Sequence, residues 1–458
     1  MVSFSGLEFL FRLLPVFLII YLMAPQRHRE SILLLQSLIF YALGEPVFVP
    51  VLVVSTALNY YLGGKIWKPQ GVPCIYGRQV RRRKAFLRLA VGMDVGILAV
   101  FKMLAVFVDN RLLPLGLSFY VFKMISYQID LYRQTVPDKP GWKQAALYFT
   151  LFPQVTSGPI MQYGEGGFGR GKSCSGQGLE DGLKCFVCGL GMKVLLADRL
   201  AILWNDLQMI GFQSISTPLA WLGATGYSLQ LYFDFWGYSL MASGLMMLLG
   251  YPFILNFNDP YASKSISEFY RRWHVTLGKW FREYVYIPLG GSRCSKRRLI
   301  LNLALVWLLT GIWHGNGVNY LIWGGVIGGI IILEKTVYGK YLRKTPVLGN
   351  LYVLLLIPLT WVVFAVTDLH QLGVYFGRLF PLIGGAGIAV NEQDIIKYLR
   401  DYSLYFIAGI SLCIPAMPRF WKKHRNHPLV LFLLALIFWM SVYYQSNSAG
   451  NPFMYLKF

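Results

Sequence analysis

Two histidines lie in segments whose residue types suit proton transfer. His314 lies in GIWHGNGVNY, directly after Trp313 and before a Gly-Asn-Gly sequence, and long apolar runs flank this stretch on both sides. A histidine can move a proton near neutral pH without carrying a permanent charge into an apolar environment. The glycines allow a substrate to approach closely, and Trp313 or Asn316 would orient it. We therefore predict that His314 acts as a general base, although composition alone does not identify the reaction.

The backbone around His314 is predicted to be broken inside the membrane. The apolar runs at 299–313 and 320–333 have 15 and 14 residues. As helices, each would be about 22 Å long or less, which is shorter than the ~30 Å hydrocarbon core. Irregular backbone at that depth is stable only where it is buried in protein or lines a wet cavity. The alternative is a hydrogen-bonded structural histidine at a glycine kink.

The second histidine, His274, lies in a segment that cannot cross a bilayer. Residues 261–298 carry nine basic and two acidic side chains within an otherwise apolar chain. Six large residues step by three or four and predict one apolar helical face: Ile266, Phe269, Trp273, Leu277, Trp280 and Tyr284. The charged residues lie off that face: Glu268, Arg271, Arg272, Lys279, Arg282 and Glu283.

This pattern predicts a basic amphipathic helix at the cytoplasmic surface, or a re-entrant helix that caps the bundle. On such a helix His274 shares a side with Tyr270, Leu277 and Phe281, so its ring should face packed aromatic residues rather than water. A satisfied core histidine is the alternative for His274. For the whole segment, the alternative is an interfacial anchor on anionic lipids, which requires no chemistry.

The elements that must position these histidines are transmembrane helices. Of the 458 residues, 55% are hydrophobic and 14% charged, and the mean hydropathy is +0.49, which is typical of a polytopic membrane protein. The apolar stretch at 7–23 is predicted as a first span rather than a signal peptide. The distribution of apolar segments predicts an all-helical bundle of about ten to twelve crossings, some of them half-helices. Without internal repeats or a soluble segment, we expect a single membrane-embedded domain over 1–458.

The net charge of +22 comes from clusters between apolar segments. The main clusters lie at 27–29, 65–84 and 419–428, where cytoplasmic loops and anionic headgroups account for them. A nucleic-acid partner is therefore not expected. The same clusters predict a multi-pass protein of the cell membrane with its N-terminus on the extracytoplasmic side.

No metal site or bound cofactor is expected. The six cysteines are scattered, and Cys185 and Cys188 have no second pair or histidine nearby to complete a tetrahedral site. We interpret these two as buried free thiols.

The sequence SEFYRRWHVTLGKWFREYVYIPLGGSR, followed by GIWHG, closely resembles the membrane-bound O-acyltransferase family. The resemblance covers nearly the whole chain, including LGLSFYVFKMISYQIDLYR, LFPQVTSGPIMQY, GLKCFVCGLGMKVLLADRL, YSLQLYFDFWGYS and the closing NPFMYLKF. Together these motifs are highly specific. Within the family, the chain is most similar to the branch that O-acetylates alginate and, more distantly, to the branch that D-alanylates teichoic acid.

The resemblance implies a helical bundle around a thin core of shorter, partly re-entrant helices, with a tunnel in which a cytoplasmic acyl donor meets an acceptor from the other face. It implies that His314 of the W-H-G motif is catalytic and that His274 of the R-W-H motif is its partner. The motif at 261–298 would lie on the cytoplasmic side, and 299–333 would form the broken helices. The residues expected to bind substrate are Trp313, Asn316, Arg271, Arg272, Trp273 and Lys279.

The chain departs from the family pattern at three positions. Trp236 replaces a small residue and Leu240 a carboxylate in FDFWGYSLMA, and Ile327 stands where a histidine is common. None of the three touches either histidine motif. The polar lining of the tunnel, and with it acceptor or acyl preference, is expected to differ from that of the alginate branch.

These observations favour an acyltransferase. Acetyl-CoA would be the donor substrate, and the acetyl group would pass to an extracytoplasmic polysaccharide, directly or through a partner acyltransferase. A D-alanyl thioester on a carrier protein is the alternative donor. A transporter or flippase and a non-enzymatic scaffold of an export complex are the hypotheses from other classes.

Overall fold

A computed structural model describes residues 3–69, 77–136, 138–166, 168, 174–381 and 390–447. Within this part of the chain, the regular elements are all helices. The α-helices are α1 Leu14–Met23, α2 Gln26–Gly44, α3 Val49–Ile66, α4 Gly77–Phe107, α5 Leu117–Arg133, α6 Trp142–Thr150, α7 Phe152–Val155, α8 Gly176–Gly191, α9 Asp198–Ile210, α10 Thr217–Leu248, α11 Ile266–Arg272, α12 Val275–Phe281, α13 Lys296–His314, α14 Val318–Leu333, α15 Gly339–Lys344, α16 Pro346–Ala365, α17 Leu369–Leu379, α18 Asp394–Leu412, α19 Ala416–His424 and α20 Pro428–Asn447.

The described residues also contain short helices of other types. The 3₁₀ turns are Pro46–Phe48, Asn110–Leu112, Tyr163–Glu165, Phe212–Ser214 and Pro260–Ala262. The π-helical segments are Phe9–Leu13, Met192–Ala197, Arg282–Tyr286 and Glu334–Tyr338.

Six of the described helical segments are long and apolar enough to cross a membrane. They are Pro46–Ile66, Gly77–Phe107, Asn110–Arg133, Val318–Leu342, Pro346–Ala365 and Pro428–Asn447. The predicted all-helical membrane fold is therefore confirmed. The count of ten to twelve crossings and the orientation of the N-terminus stay predictions, and parts of the basic clusters and the closing NPFMYLKF lie outside the described residues.

The chain groups into two compact units. Within the described residues, the first comprises 3–187 and 238–255, and the second comprises 188–237 and 256–447. Both α8 and α10 contribute residues to each unit.

In the first unit, three candidate spans are joined by side-chain amides. Asn59 on α3 donates through Nδ2 to Oδ1 of Asp94 on α4, at 2.8 Å. Gln128 on α5 donates through Nε2 to Oδ1 of Asn59, at 2.7 Å. All three side chains are buried. Hydrogen bonds of this kind hold transmembrane helices together, because a polar group in hydrocarbon otherwise has no partner.

The second unit contains both histidine motifs. The sequence predicts two short half-helices around His314, and this expectation is wrong in length. α13 has 19 residues, and the second helix continues through a π-helical turn to Leu342, which makes a candidate span of 25 residues. The helices extend past the apolar runs because charged residues at 296–298 and 334–335 continue the helical backbone. The break at 315–317 itself is present, as predicted.

Candidate active site

Close packing of α13 against α14 positions His314. A Cβ on Gly311 would lie 2.6 Å from the carbonyl oxygen of Tyr320, and one on Gly324 would lie 2.6 Å from that of Trp307. A Cβ on Gly315 would lie 2.3 Å from the ring of Tyr320. The glycines therefore let the two helices meet at backbone distance, and α13 ends with His314 at the turn.

The imidazole ring of His314 is surrounded by aromatic rings. It meets Trp313, Trp323 and Phe364 at centroid distances of 4.7, 5.0 and 5.2 Å, with interplanar angles of 70°, 86° and 85°. Its side chain is 4% exposed. Such packing in edge-to-face geometry holds the ring in one orientation and limits its access to bulk water.

Asn319 holds Phe364, one of the three aromatic residues around His314, in place. Its Nδ2 donates to the carbonyl oxygens of Val363 and Phe364, at 3.3 and 2.9 Å, and its side chain is buried. These bonds tie the start of α14 to the last turn of α16, where the carbonyls have no partner within the helix. Asn319 thereby keeps Phe364 against His314. By contrast, the predicted substrate-binding residue Asn316 lies exposed on the turn.

His274 lies at a break between α11 and α12 that the sequence pattern did not predict. The expected single helix over 266–284 is interrupted, because His274 adopts φ +47° in the left-handed region. His is among the non-glycine residues found there most often, and such residues cluster at functional sites. The predicted apolar face is nonetheless buried at all six positions.

The break is stabilised by the loop that precedes α11. The backbone N–H of Asn258 donates to the carbonyl of Arg272 at 3.0 Å, at the end of α11. The backbone N–H of Val275 donates to the carbonyl of Asn256 at 2.9 Å, at the start of α12. Each bond satisfies a terminal group that a helix leaves without an internal partner. The loop therefore replaces the helical hydrogen bonds lost at His274.

The ring of His274 is buried, with 3% exposure. Its Nδ1 lies 3.0 Å from Oδ1 of Asn256, and its ring packs edge-on against Phe235 at 4.6 Å. The prediction that this ring faces packed aromatic residues is confirmed. Desolvation by burial lowers the pKa of His274, which lies outside the six candidate spans, to about 3. The ring is therefore neutral at physiological pH.

The structure brings the two histidines to one indole. The ring of Trp313 lies 6.3 Å from that of His274 and 4.7 Å from that of His314. Trp313 is buried. Two histidines that are 40 positions apart in the sequence therefore pack near a single indole side chain.

Trp273 belongs to the same aromatic cluster. It stacks on Phe269 at 5.5 Å and lies 5.0 Å from Trp361, which in turn stacks on Trp323 at 5.7 Å. Trp323 is an edge-to-face partner of His314. Trp273 thus connects α11 to the surround of His314 by ring packing.

The basic residues of the motif lie outside this cluster. Arg271 and Lys279 are exposed. Arg272 is half-buried and forms an ion pair with Glu268 at 2.8 Å. Their charged groups therefore lie at the surface of the motif rather than beside the imidazole rings.

A buried carboxylate connects the start of α11 to the end of α14. Glu334, which follows α14, accepts hydrogen bonds from the backbone N–H groups of Ile266 and Ser267, at 2.6 and 2.8 Å. Tyr352 donates to the same carboxylate at 3.2 Å. Free N–H groups and the positive end of the helix dipole make the first turn of α11 a favourable partner for an anion.

Several of these residues were not singled out from the sequence. Asn256 forms a hydrogen bond with His274, and Thr276 forms one with Asn256. Asn319 and Glu334 form hydrogen bonds with backbone groups. A buried polar residue in an apolar segment is the one signal that each offers. That signal does not show which distant residue is its hydrogen-bond partner.

The positions that depart from the family pattern lie within packed surroundings. Trp236 stacks on Tyr232 at 5.1 Å, and Ile327 is fully buried. The carbonyl of Leu240 accepts from the thiol of Cys185 at 3.3 Å. Among the described residues, no group of three His, Cys, Asp or Glu side chains has the arrangement of a metal site.

The described chain is a polytopic membrane protein in which two buried histidines pack near one indole. The family model for the membrane-bound O-acyltransferase family matches residues 131–367, which is about half of the chain. The chain belongs to this family and is an acyltransferase. Membership decides against the transporter and scaffold hypotheses.

The chain is similar to several known proteins. It is 32% identical to a probable alginate O-acetylase AlgI of Pseudomonas putida, over 99% of this chain and 100% of the relative. It is 32% identical to a peptidoglycan O-acetyltransferase of Helicobacter pylori, over 79% and 77% of the two chains. It is 30% identical to a teichoic acid D-alanyltransferase of Bacillus subtilis, over 47% and 57%. The predicted resemblance is confirmed.

Proposed function

We propose that this protein transfers an acetyl group from a cytoplasmic thioester to a hydroxyl group of an extracytoplasmic polysaccharide, with His314 as the general base. The observation that carries the proposal is the buried imidazole of His314 at a glycine break, held among aromatic rings. The names of the relatives that match most of this chain, an alginate O-acetylase and a peptidoglycan O-acetyltransferase, support the acetyl group and the glycan acceptor.

In the proposed reaction, one proton moves from the acceptor hydroxyl to His314 and then to the leaving thiolate. His314 takes the proton of the acceptor hydroxyl while the oxygen attacks the thioester carbonyl. The tetrahedral intermediate then collapses, the carbon–sulfur bond breaks, and the leaving thiolate takes the proton back from the imidazolium. His314 returns to its neutral form, and no further reactant is consumed. Packing by aromatic rings favours this sequence because it excludes competing water.

The basic residues of the motif are proposed to bind the donor. Acetyl-CoA carries phosphate groups, and guanidinium and ammonium groups are their usual partners in proteins. The exposed side chains of Arg271 and Lys279, with Arg272 beside them, suit phosphates that approach from the cytoplasm. Trp313 would position the reacting groups between the histidines, and Asn316 would contact substrate at the turn.

D-Alanyl transfer from a carrier protein is the second candidate. The observation in its favour is the similarity to a teichoic acid D-alanyltransferase, which covers 47% of this chain. The O-acetylating relatives match over a larger share. Acetyl transfer is therefore the preferred proposal.

The test is transfer from radiolabelled acetyl-CoA by membranes that contain the protein. His314→Ala should lower the rate about 10²- to 10⁴-fold if proton abstraction is lost. His370→Ala, at an exposed histidine outside the site, is the matched control and should retain activity. Equal rates in wild type and His314→Ala at matched folded amounts would remove His314 from the mechanism. Label that comes only from a D-alanyl carrier thioester would assign the second candidate.

A further inference from the structure

The side-chain amide of Asn256 has a fixed orientation. Its Oδ1 accepts from the backbone N–H of Thr276 at 3.3 Å and lies 2.9 Å from the Thr276 hydroxyl. A backbone N–H is always a donor, so the atom that faces it is the amide oxygen and not the amide nitrogen. The same oxygen lies 3.0 Å from Nδ1 of His274. Nδ1 therefore carries the proton and donates to Asn256.

This bond decides what His274 offers to a substrate. A neutral imidazole has one N–H, so Nε2 of His274 is a bare acceptor. This atom is buried and has no hydrogen-bond partner within the described residues. A buried acceptor without a donor is costly, and a substrate that supplies the donor recovers that cost on binding.

We infer that Asn256 is a positioning residue that holds His274 in the Nδ1–H tautomer, so that Nε2 accepts a hydrogen bond from an N–H or O–H group of the bound substrate. The inference rests on the proposed function, because it assigns a task to the partner of His314. In this tautomer His274 cannot donate to the oxyanion of the tetrahedral intermediate. Its task is to hold a substrate group while His314 transfers the proton.

The surroundings keep His274 neutral. The described partners of the ring are uncharged side chains: Asn256, Phe235 and Trp313. Asp234, the neighbour of Phe235 on α10, forms an ion pair with Lys193 at 2.8 Å. The ring of His314 lies 4.7 Å from that of Trp313. The tautomer is therefore set by Asn256 rather than by a charge.

The tautomer is measured directly by ¹⁵N NMR of the full chain with labelled histidine in detergent micelles. The signals of His274 are identified by their loss in His274→Ala. Wild type should show a protonated Nδ1 and a bare Nε2, and Asn256→Ala should show a mixture of tautomers. A protonated Nε2 in wild type would overturn the inference. This readout does not depend on acyl transfer, so it separates failure of the inference from failure of the proposed function.

Activity tests the consequence. Asn256→Ala should lower the rate at least about tenfold, because a histidine with the wrong tautomer presents the wrong group. Asn258→Ala is the matched control, since that side chain is exposed and the hydrogen bonds given for Asn258 use its backbone atoms. In a His274→Ala background, Asn256→Ala should add little further loss. Fully additive losses would contradict an effect that acts through His274.

Asn256→Asp distinguishes a positioning role from a purely structural role of Asn256. The carboxylate can accept the same hydrogen bonds from Thr276 and His274 but raises the pKa of His274, because an opposite charge favours the imidazolium. As pH falls through the raised pKa, Nε2 becomes protonated and can no longer accept. The acid side of the rate profile should therefore move to higher pH, with wild-type-like rates above it. An unchanged profile in a folded Asn256→Asp protein would refute the inference.

Discussion

The ring of His274 lies 6.3 Å from that of Trp313, the residue that directly precedes His314. The same indole lies 4.7 Å from the ring of His314. A single side chain therefore packs near both imidazoles. Because packed interiors transmit small displacements, a change in this indole should disturb both histidines together.

Trp313→Phe tests this shared position. The smaller ring loses part of its contact with both histidines, and we expect a fall in kcat of about ten- to a hundredfold, because displacements near 1 Å are costly in catalysis. Initial rates of acetyl transfer at matched folded amounts measure the effect.

Trp280→Phe is the control for Trp313→Phe. Trp280 is also buried in the motif, but its ring partners are Phe281 and Tyr284. A similar loss of stability with nearly unchanged kcat is expected there. Equal falls in kcat for the two variants would show that the effect is one of stability alone.

Adjacent glycines on α14 allow a sharp test of the helix pair. A Cβ on Gly324 would lie 2.6 Å from the carbonyl of Trp307, whereas one on Gly325 would meet nothing within 4 Å. Gly324→Ala should destabilise the protein by about 1–3 kcal/mol through overpacking. Gly325→Ala should be neutral or stabilise by up to about 1 kcal/mol, because alanine favours the helix.

Thermal unfolding in detergent distinguishes these two variants. The midpoint should fall for Gly324→Ala and stay equal or rise for Gly325→Ala. Equal midpoints would mean that α13 and α14 do not approach as closely as the structure places them.

Apolar periodicity predicted the elements of the site better than their breaks. The spacing from Ile266 to Tyr284 identified a face that is buried at every position. It did not reveal the interruption at His274, because the hydrogen bonds that stabilise the interruption come from Asn256 and Asn258 in another segment. A periodic pattern records which face is buried and not whether the backbone is continuous.

The lengths around His314 show the same limit. Hydropathy ended the second apolar run at Leu333, but the helix continues past Glu334 because its carboxylate has partners at the start of α11. Likewise, the sequence drew attention to Asn316, which is exposed, rather than to Asn319, which is buried. Which of two asparagines faces the core depends on tertiary contacts that one sequence does not contain.

The basic side chains of the motif provide a binding prediction. If Arg271 and Lys279 hold the donor's phosphates, Arg271→Gln combined with Lys279→Gln should raise the KM for acetyl-CoA about fivefold or more and leave kcat nearly unchanged. The difference should shrink as salt increases, because exposed charges are screened.

Arg400→Gln is the control for those charges. Arg400 is exposed and forms a surface ion pair with Asp401 at 3.4 Å. Its KM should equal that of wild type. A fall in kcat without a rise in KM in the double variant would instead indicate that the two side chains support the fold of the motif.

The amide cluster of the first unit predicts how its three candidate spans are held together. Asn59→Leu removes the donor to Oδ1 of Asp94 and the side-chain acceptor of Gln128, whose Nε2 keeps its bond to the backbone carbonyl of residue 59. The expected cost is about 1–3 kcal/mol, measured as a lower unfolding midpoint in detergent.

Asp94→Leu alone should also destabilise the protein, because Asn59 then loses an acceptor. In the Asn59→Leu, Asp94→Leu double variant the costs should be clearly less than additive, since the shared bond is lost only once. Additive costs would mean that the bond between α3 and α4 contributes nothing to their association.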